Sequence, residues 1–515
     1  MLPPEPRLPG ARELVEEGQY FVVHAPRQTG KTTTLSALAE DVTAEGRMVA
    51  LLFSCERARI YLEDAGAVGR AILQAITEEA RFQRLPADCM PPDPWPTAPP
   101  DSLLSAGLRA WAESCPRPLA LFFDEIDSLT GDPLLSVLSQ LRDGFRSRPE
   151  GFPASVALCG LRDIRDYRVA SGRDPERRST SSPFNVKVES LRMGDFTKDQ
   201  VAELYGQHTA ETGQDFTPEA VDRAFSYSQG QPWLVNSLAR EAIVKMGVKP
   251  PEPVTAAHID EAKERLILDR QTHLDYLSDR LAEPRVQRVV EPVLTGGLLP
   301  TRDSVYDDDV SYVRDLGLIA ASDPVRIANP VYKEVIVRVL SLGIRRSIVD
   351  VDPRDYLLPD GRLDFGMVLK RFARFWQSFG KMLAQGGDYH ETAPQLVFLA
   401  YLQSVVNGSG FVDCEYGLGR GRIDVYVRKF YTDADGKKAV QREAVELKVR
   451  RQGRGNPLKD GLGQLDEYLS QLDVDAGSLI VFDRRPNARH KRSDTEFSST
   501  HTPDGREITI LVLSA

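Results

Sequence analysis

A chain of 515 residues, 41% hydrophobic and 27% charged, has ample material for buried cores and a length that predicts about three to four domains. Its 65 Lys and Arg against 75 Asp and Glu leave a net charge of −10, which excludes a surface that is basic throughout but not a local basic groove. No run reaches the roughly 20 apolar residues of a membrane helix, and the opening MLPPEPRLPGARELVEEG holds no apolar signal core. Five scattered cysteines form neither a disulfide framework nor a CxxC zinc pattern, so a cytoplasmic protein without a membrane partner is expected.

No internal repeat is visible. Through residue 190, short apolar runs alternate with helical stretches, the pattern of a parallel sheet flanked by helices. Strands are predicted at 19–24, 47–54, 119–124 and 155–160. The segment 86–101 (PADCMPPDPWPTAPPD) is too rich in proline for a helix or a central strand and reads as a surface loop.

The segment HAPRQTGKTT (24–33) follows the first strand and opens a helix. It resembles a Walker A loop, with Ala25 where the first glycine is usual. Small residues there let backbone N–H groups turn toward phosphate oxygens, and the helix N-terminus adds its positive end. The resemblance implies that Ala25, Arg27, Gln28, Thr29, Gly30, Lys31, Thr32 and Thr33 cradle ATP. Lys31 would reach the terminal phosphates and Thr32 would ligate Mg²⁺. The run LALFFDE (119–125) ends a buried strand in two acids and resembles a Walker B strand. Asp124 would hold the metal's water shell, and Glu125 would orient or deprotonate the attacking water. Arg162, just past the strand at 155–160, resembles the sensor arginine of the STAND group of AAA-like ATPases, and Gly230 to Pro232 resembles that group's GxP motif. A plain strand–turn–helix, an exposed acidic strand end and a surface arginine are the ordinary alternatives for each motif alone; their order along residues 10–345 joins them.

From Asp195 the texture turns helical. Thr197 and Gln200 form a capping box, Thr217 caps a helix with Pro218 at its first turn, and Gly230 to Trp233 breaks and restarts one. Residues 251–345 read as a helical unit ending in a helix, a short hairpin and a closing helix, which resembles a winged helix. Its candidate recognition helix begins with Asp307, Asp308 and Asp309 and carries Asp315, with only Arg314 opposing them. Those carboxylates would repel DNA phosphates, so a protein-facing or regulatory role is favoured over a DNA-reading head.

The last unit carries a second chemistry. In GRGRIDVYV (419–427) Asp424 lies inside an alternating strand, and after a turn near Gly436 a second strand reads AVELKV (444–449). Glu446 and Lys448, two apart, share a face, and ordinary hairpin pairing brings Asp424 beside them. Two carboxylates so placed can bind Mg²⁺, and a lysine can position water and offset developing phosphate charge. An exposed acidic hairpin with a salt-bridging lysine is the simpler alternative. The D…ExK pattern resembles the PD-(D/E)XK nuclease superfamily. That resemblance adds Glu391, ahead of an apolar helix, as an accessory metal ligand, and Gln464, opening GQLDEYLSQL, as a catalytic residue. Arg450, Arg451, Arg454 and Lys459 could track phosphates.

The expected architecture is multidomain α/β: a P-loop ATPase core (1–190), a helical lid (191–250), a winged-helix-like domain (251–345), a helical connector (346–385) and a PD-(D/E)XK-like α/β nuclease domain (386–515). The resemblances imply a bacterial ATPase–nuclease fusion, a Mg²⁺-dependent nuclease regulated by ATP, with DNA favoured over RNA. Prokaryotic defence, a homo-oligomer and a regulatory protein partner belong to the same analogy. A nucleotide switch whose C-terminal domain binds a partner without cutting, or a DNA motor, remains as an alternative.

Overall fold

The computed structural model describes residues 2–3, 6–61, 64–162, 189–268, 279–294, 308–336, 339, 352–380, 393–406, 410–418, 421–433, 436–450, 457–472, 474, 476–483, 495–502 and 504–514. Four strands are buried almost throughout, as parallel strands covered on both faces must be: β1 (Tyr20–His24), β2 (Val49–Ser54), β3 (Leu119–Asp124) and β4 (Ser155–Gly160). A fifth, β5 (Glu189–Arg192), lies at the edge beside β1 and was not foreseen. All pair in parallel, in the order β2-β3-β4-β1-β5. Successive β1 residues enter opposite cores. Phe21 and Val23 pack with Leu35 and Leu38 of the helix Lys31–Ala44, while Tyr20 and Val22 face the cluster that holds Ile72, Leu108 and Leu138. Each such aliphatic or aromatic side chain removed from water contributes roughly 1.5–3 kcal/mol.

The proline-rich segment is irregular, yet it is more than surface. Cys89 is fully buried, and Trp95 packs edge-on to Trp111 at 6.3 Å while donating its indole N–H to Thr77 Oγ1.

The helical region starts at Lys198–Thr212, whose capping box forms from both sides: the Gln200 N–H donates to Thr197 Oγ1, and the Thr197 N–H donates to Gln200 Oε1. Thr217 caps Pro218–Ser228, and Gln231 caps the restarted helix Pro232–Arg240. Between these helices Gly230 has φ +83°, and a Cβ there would lie 1.9 Å from the Phe196 carbonyl oxygen, so only glycine fits. The helices Ala256–Leu268, Pro284–Leu294 and Asp308–Asp315 follow. A short antiparallel hairpin pairs Ile319 with Ile327, and a closing helix spans 330–336. Beneath it Lys263 is buried between Glu264 (2.9 Å) and Glu334 (3.0 Å).

The second sheet is mixed, in the order β10-β11-β9-β8-β7-β6. β6 (Gly410–Leu418), β7 (Gly421–Thr432) and β8 (Lys438–Arg450) form an antiparallel meander. β9 (Ala476–Asp483) runs parallel to β8 and to β11 (Glu507–Ser514), and β10 (Glu496–His501) closes the edge. One face packs under the helix Pro457–Leu472 through Tyr426, Leu465, Leu469 and Leu479. The other face carries Val425, Val427, Val445 and Leu447 into a core shared with the helices Phe365–Phe375 and Ala393–Val406. The segment read as a connector is part of this packing: Trp376 donates to the Ser514 carbonyl at 2.8 Å, and Gln441 clasps the Leu363 backbone. That same core runs without a break back through Val335, Val313 and Leu266 to Val201.

Candidate functional site

β1, β3 and β4 end at one edge of the first sheet, so the loop after β1, the acids ending β3 and the arginine after β4 come together. Ala25 is fully buried, and its N–H reaches the Gly160 carbonyl at 3.3 Å, which ties the loop to β4. Gln28 and Gly30 have φ of +58° and +90°, turning the chain into the helix Lys31–Ala44. That helix has no side-chain cap hydrogen bond, which leaves the N–H groups of its first turn open to another acceptor. Lys31 folds over the loop, donating to the Ala25 and Pro26 carbonyls at 2.8 and 2.9 Å. Burial lowers its pKa, opposed by the charges of Cys159, Asp127 and Asp124. Thr29 bonds back to the Pro26 carbonyl, whereas Arg27, Thr32 and Thr33 are exposed at the mouth.

Residues 92 apart meet where Thr32 Oγ1 donates to Asp124 Oδ2 at 2.5 Å. Such a hydroxyl–carboxylate pair beside a loop of Walker A pattern would suit Mg²⁺, which is held by few protein oxygens and keeps several waters. Glu125 sits at φ +53°, a left-handed conformation uncommon outside glycine, which turns its carboxylate into the open; there it accepts from Ser54 Oγ at 2.7 Å.

Sequence reasoning missed several residues at this edge. Arg7 donates to the Thr29 carbonyl at 2.6 Å and the Gly194 carbonyl at 2.8 Å, and stacks on Phe196 at 4.4 Å. Arg162 is occupied by another part of the chain: its guanidinium lies 4.5 Å from the Tyr312 ring centre, and its Nε lies 3.8 Å from Asp315 Oδ2. His24 Nδ1 is 3.9 Å from the other Asp315 oxygen, and Arg192 donates to the Arg314 carbonyl at 2.9 Å. Gly317, at φ +77°, lets the following turn close on the phosphate loop, since a Cβ there would stand 2.7 Å from Pro26 Cβ.

The acids of the helix Asp308–Asp315 are opposed by more than Arg314. Asp309 pairs with Arg285 at 3.3 Å and Arg288 at 2.6 Å, while Arg314 turns to Asp323. Sequence spacing could not show this pairing, because the arginines lie on the preceding helix. Asp307 is outside the described residues.

On the second sheet, β7 and β8 pair with Val425 opposite Val445, and Asp424 Oδ2 accepts the Leu447 N–H at 2.9 Å. Lys448 Nζ donates to Glu446 Oε1 at 2.6 Å. The other Glu446 oxygen is buried without a hydrogen-bond partner, an orphaned acceptor that a cation would satisfy. Burial and the Asp424 charge raise the Glu446 pKa to about 7, with Lys448 opposing. Burial likewise raises Asp424, opposed by the Leu447 N–H and by the charges of Lys448 and Lys333. For Lys448 burial pulls down, but Glu446 and Asp424 outweigh it and the net pKa is raised. Two carboxylates and a lysine fit Mg²⁺ with a water-rich shell, although no group of three or more His, Cys, Asp or Glu is placed to hold a metal among the described residues. Gly461 brings the helix Pro457–Leu472 against Lys448, where a Cβ would lie 3.4 Å from Lys448 Cγ. Gln464 is on the exposed side of that helix, one turn before buried Tyr468; Arg450 is half-buried and Lys459 exposed. Glu391, Arg451 and Arg454 lie outside the described residues. The sequence reading missed Lys333, whose charge reaches Asp424 from the closing helix 330–336.

No protein-family model and no curated protein matches the chain. Among solved structures it is similar to a Walker-type ATPase of Pyrococcus abyssi, at 16% identity over 63% of this chain and 92% of that one, with a TM-score of 0.43. It is also similar to the RuvB Holliday junction branch migration motor of Thermotoga maritima (16% identity, 64% and 92% covered, TM-score 0.35). A third likeness is Cdc6p from Pyrobaculum aerophilum (14% identity, 65% and 94% covered, TM-score 0.34). The chain is a multidomain α/β protein in which a unit built on a five-stranded parallel sheet precedes a second, six-stranded mixed sheet.

Proposed function

We propose that the chain is an ATP-regulated, Mg²⁺-dependent nuclease, with DNA favoured over RNA as substrate. The first unit is its ATPase, the region 251–345 a winged-helix-like regulatory element, and the second sheet its PD-(D/E)XK-like nuclease. The observation that carries the nuclease reading is the cluster of Asp424, Glu446 and Lys448 at one end of the β7–β8 hairpin, with a buried Glu446 oxygen left without a partner.

In the first unit, Lys31 and the N–H groups at the start of its helix would hold the β- and γ-phosphates. Thr32 and Asp124 would hold Mg²⁺, and Glu125 would orient the attacking water. In the second, Asp424 and Glu446 would hold Mg²⁺, which supplies Lewis acidity at the scissile phosphate when bound. Lys448 would move from its Glu446 partner toward the attacking water or the phosphate oxygen, where its charge offsets the negative charge that builds up. Gln464 would serve from its exposed helix face, with Arg450 and Lys459 tracking the nucleic-acid backbone.

The decisive experiment is cleavage of duplex and single-stranded DNA, with RNA alongside, by wild type and by Asp424→Ala with and without Mg²⁺. Metal-dependent cutting by wild type alone is expected; equal cutting by the variant removes the assignment. Because only two carboxylates lie at the described centre, a second reading is a nucleotide switch whose second sheet binds nucleic acid or a protein without cutting. Undiminished DNA retention in a mobility assay, with no cleavage under any divalent cation, would favour it.

A further inference from the structure

The phosphate-loop edge contains an anion already. Asp315 ends the helix Asp308–Asp315, is 9% exposed in its side chain, and has its two oxygens 3.8 Å from Arg162 Nε and 3.9 Å from His24 Nδ1. Burial lowers the Arg192 pKa, and the Asp315 charge opposes that shift. Tyr312, one turn earlier on the same face, receives the Arg162 guanidinium at 4.5 Å and Arg285 at 3.8 Å from the opposite helix. Two residues beyond Asp315, Gly317 touches Pro26 inside the phosphate loop. The buried Arg162 Nε has no hydrogen-bond partner, because Asp315 lies just beyond bonding distance. Arg162 is therefore held electrostatically but not saturated, and a better acceptor can take it.

We infer that Asp315 is a specificity-determining positioning residue: its carboxylate competes with the terminal phosphate of a nucleoside triphosphate for Arg162, and so sets how strongly the loop distinguishes triphosphate from diphosphate. This rests on the nucleotide reading of residues 24–33. A diphosphate leaves the terminal position empty and leaves Arg162 on Asp315. A triphosphate draws Arg162 away, so part of its binding free energy is used to separate the pair, and its apparent affinity falls by the fraction of molecules in which Arg162 is available. Separation also loosens Tyr312 and the Gly317 turn from the loop. Those residues belong to a hydrophobic core continuous with the second sheet, whereas the two cores of the first unit are separate from it. The contact that yields is thus the polar one around Asp315, next to the apolar packing of Leu161 on that same core.

The test is calorimetric titration of the full chain with Mg²⁺ and either a non-hydrolysable ATP analogue or ADP. Asp315→Asn keeps the shape and removes the charge; it should raise the ratio of ATP-analogue to ADP affinity by about 5-fold or more, the lower end of ordinary coupling between sites. Asp315→Glu, which restores the charge, should return the ratio toward that of wild type. Arg162→Gln should lower the ratio, and adding Asp315→Asn to it should change nothing further, because the two act through one contact. An unchanged ratio in Asp315→Asn, or the same increase with and without Arg162, overturns the inference while leaving the nucleotide site standing. A wild-type chain that binds neither nucleotide removes the nucleotide reading, and this inference with it.

Discussion

On the proposed ATPase reading, Lys31 and Glu125 would serve binding and turnover respectively, so their substitutions should separate the two. Lys31 is a half-buried ammonium that donates to two loop carbonyls, both of which a phosphate can replace. Lys31→Ala should abolish measurable ATP·Mg²⁺ binding, and equal affinity in wild type and variant by calorimetry would remove the ATPase assignment. Glu125 touches neither Lys31 nor Thr32 in its Ser54 bond, and its left-handed backbone turns it outward. Glu125→Gln should keep ATP affinity within about twofold and slow hydrolysis by about 100-fold or more, the range of a lost general base; unchanged turnover sinks its role. A different residue sets a pH dependence of stability. Burial raises Glu443 from 4.5 to about 7, and a single Gln441 side-chain bond opposes it only in part. The folded pKa lies above the unfolded one, so its stabilising effect is full below about pH 4.5 and lost as pH rises through about 7. Relative to Glu443→Gln, wild type should lose on the order of 3 kcal/mol of unfolding free energy between about pH 4.5 and 8. Denaturant titrations showing the same gap at both ends of that range would contradict this origin.

At the scale of elements, one glycine fixes how the helices Pro218–Ser228 and Pro232–Arg240 meet the segment at Phe196. Gly230→Ala would place a Cβ inside the Phe196 carbonyl, where a backbone and not a flexible side chain must yield. It should lower stability by about 2–4 kcal/mol, visible as a drop in the thermal midpoint, and an unchanged midpoint would mean that the two segments are not held together. The break and restart of the helix at Gly230 to Trp233 was legible in the sequence; that the glycine is required by its approach to Phe196 was not. The central strands were legible because parallel strands covered on both faces are nearly unbroken apolar runs, as in LALFFD. β5 was not, since ESLR is short, half-exposed and polar, and owes its strand form to pairing with β1. Caps such as Thr197 with Gln200 are local and could be read at once. Arg7 could not, because its partners lie 22 and 187 residues away. Nor could the engagement of Arg162 by Tyr312 and Asp315, which depends on a helix some 150 residues later folding back onto the sheet edge. On the second sheet, alternation in β7 and β8 with a turn near Gly436 was enough to anticipate the hairpin. The orphaned Glu446 oxygen follows from packing, which no spacing rule contains.

In the whole molecule the two candidate centres are distant in sequence yet joined by one body. The region 308–336 places Asp315 and Gly317 at the phosphate loop and Lys333 within electrostatic reach of Asp424, eighteen residues further on. Its apolar residues Val313, Val331 and Val335 share a continuous core with Val425, Val445 and Leu447 of the second sheet. Packed cores resist continuous deformation, so a change at the polar contact with the first unit is expected to move this body as a whole. On the proposed function, the nucleotide would then act by favouring one of two arrangements, with no part in a bond-breaking step at the second centre. Lys31→Ala should therefore alter the cleavage rate while leaving Mg²⁺ affinity at Asp424 and Glu446 nearly unchanged, and Glu446→Ala should abolish cleavage while leaving ATP binding intact. The coupling range of about 5- to 150-fold typical of linked sites bounds the expected nucleotide effect. Lys333→Ala supplies the discriminating arm. If the closing helix carries the signal, removing this charge should change the cleavage rate and shrink the difference between ATP and ADP, without affecting either nucleotide's affinity. Identical cleavage with ATP, with ADP, without nucleotide and in the Lys31→Ala background would show that the two units are merely joined, and that the shared core transmits nothing from one to the other.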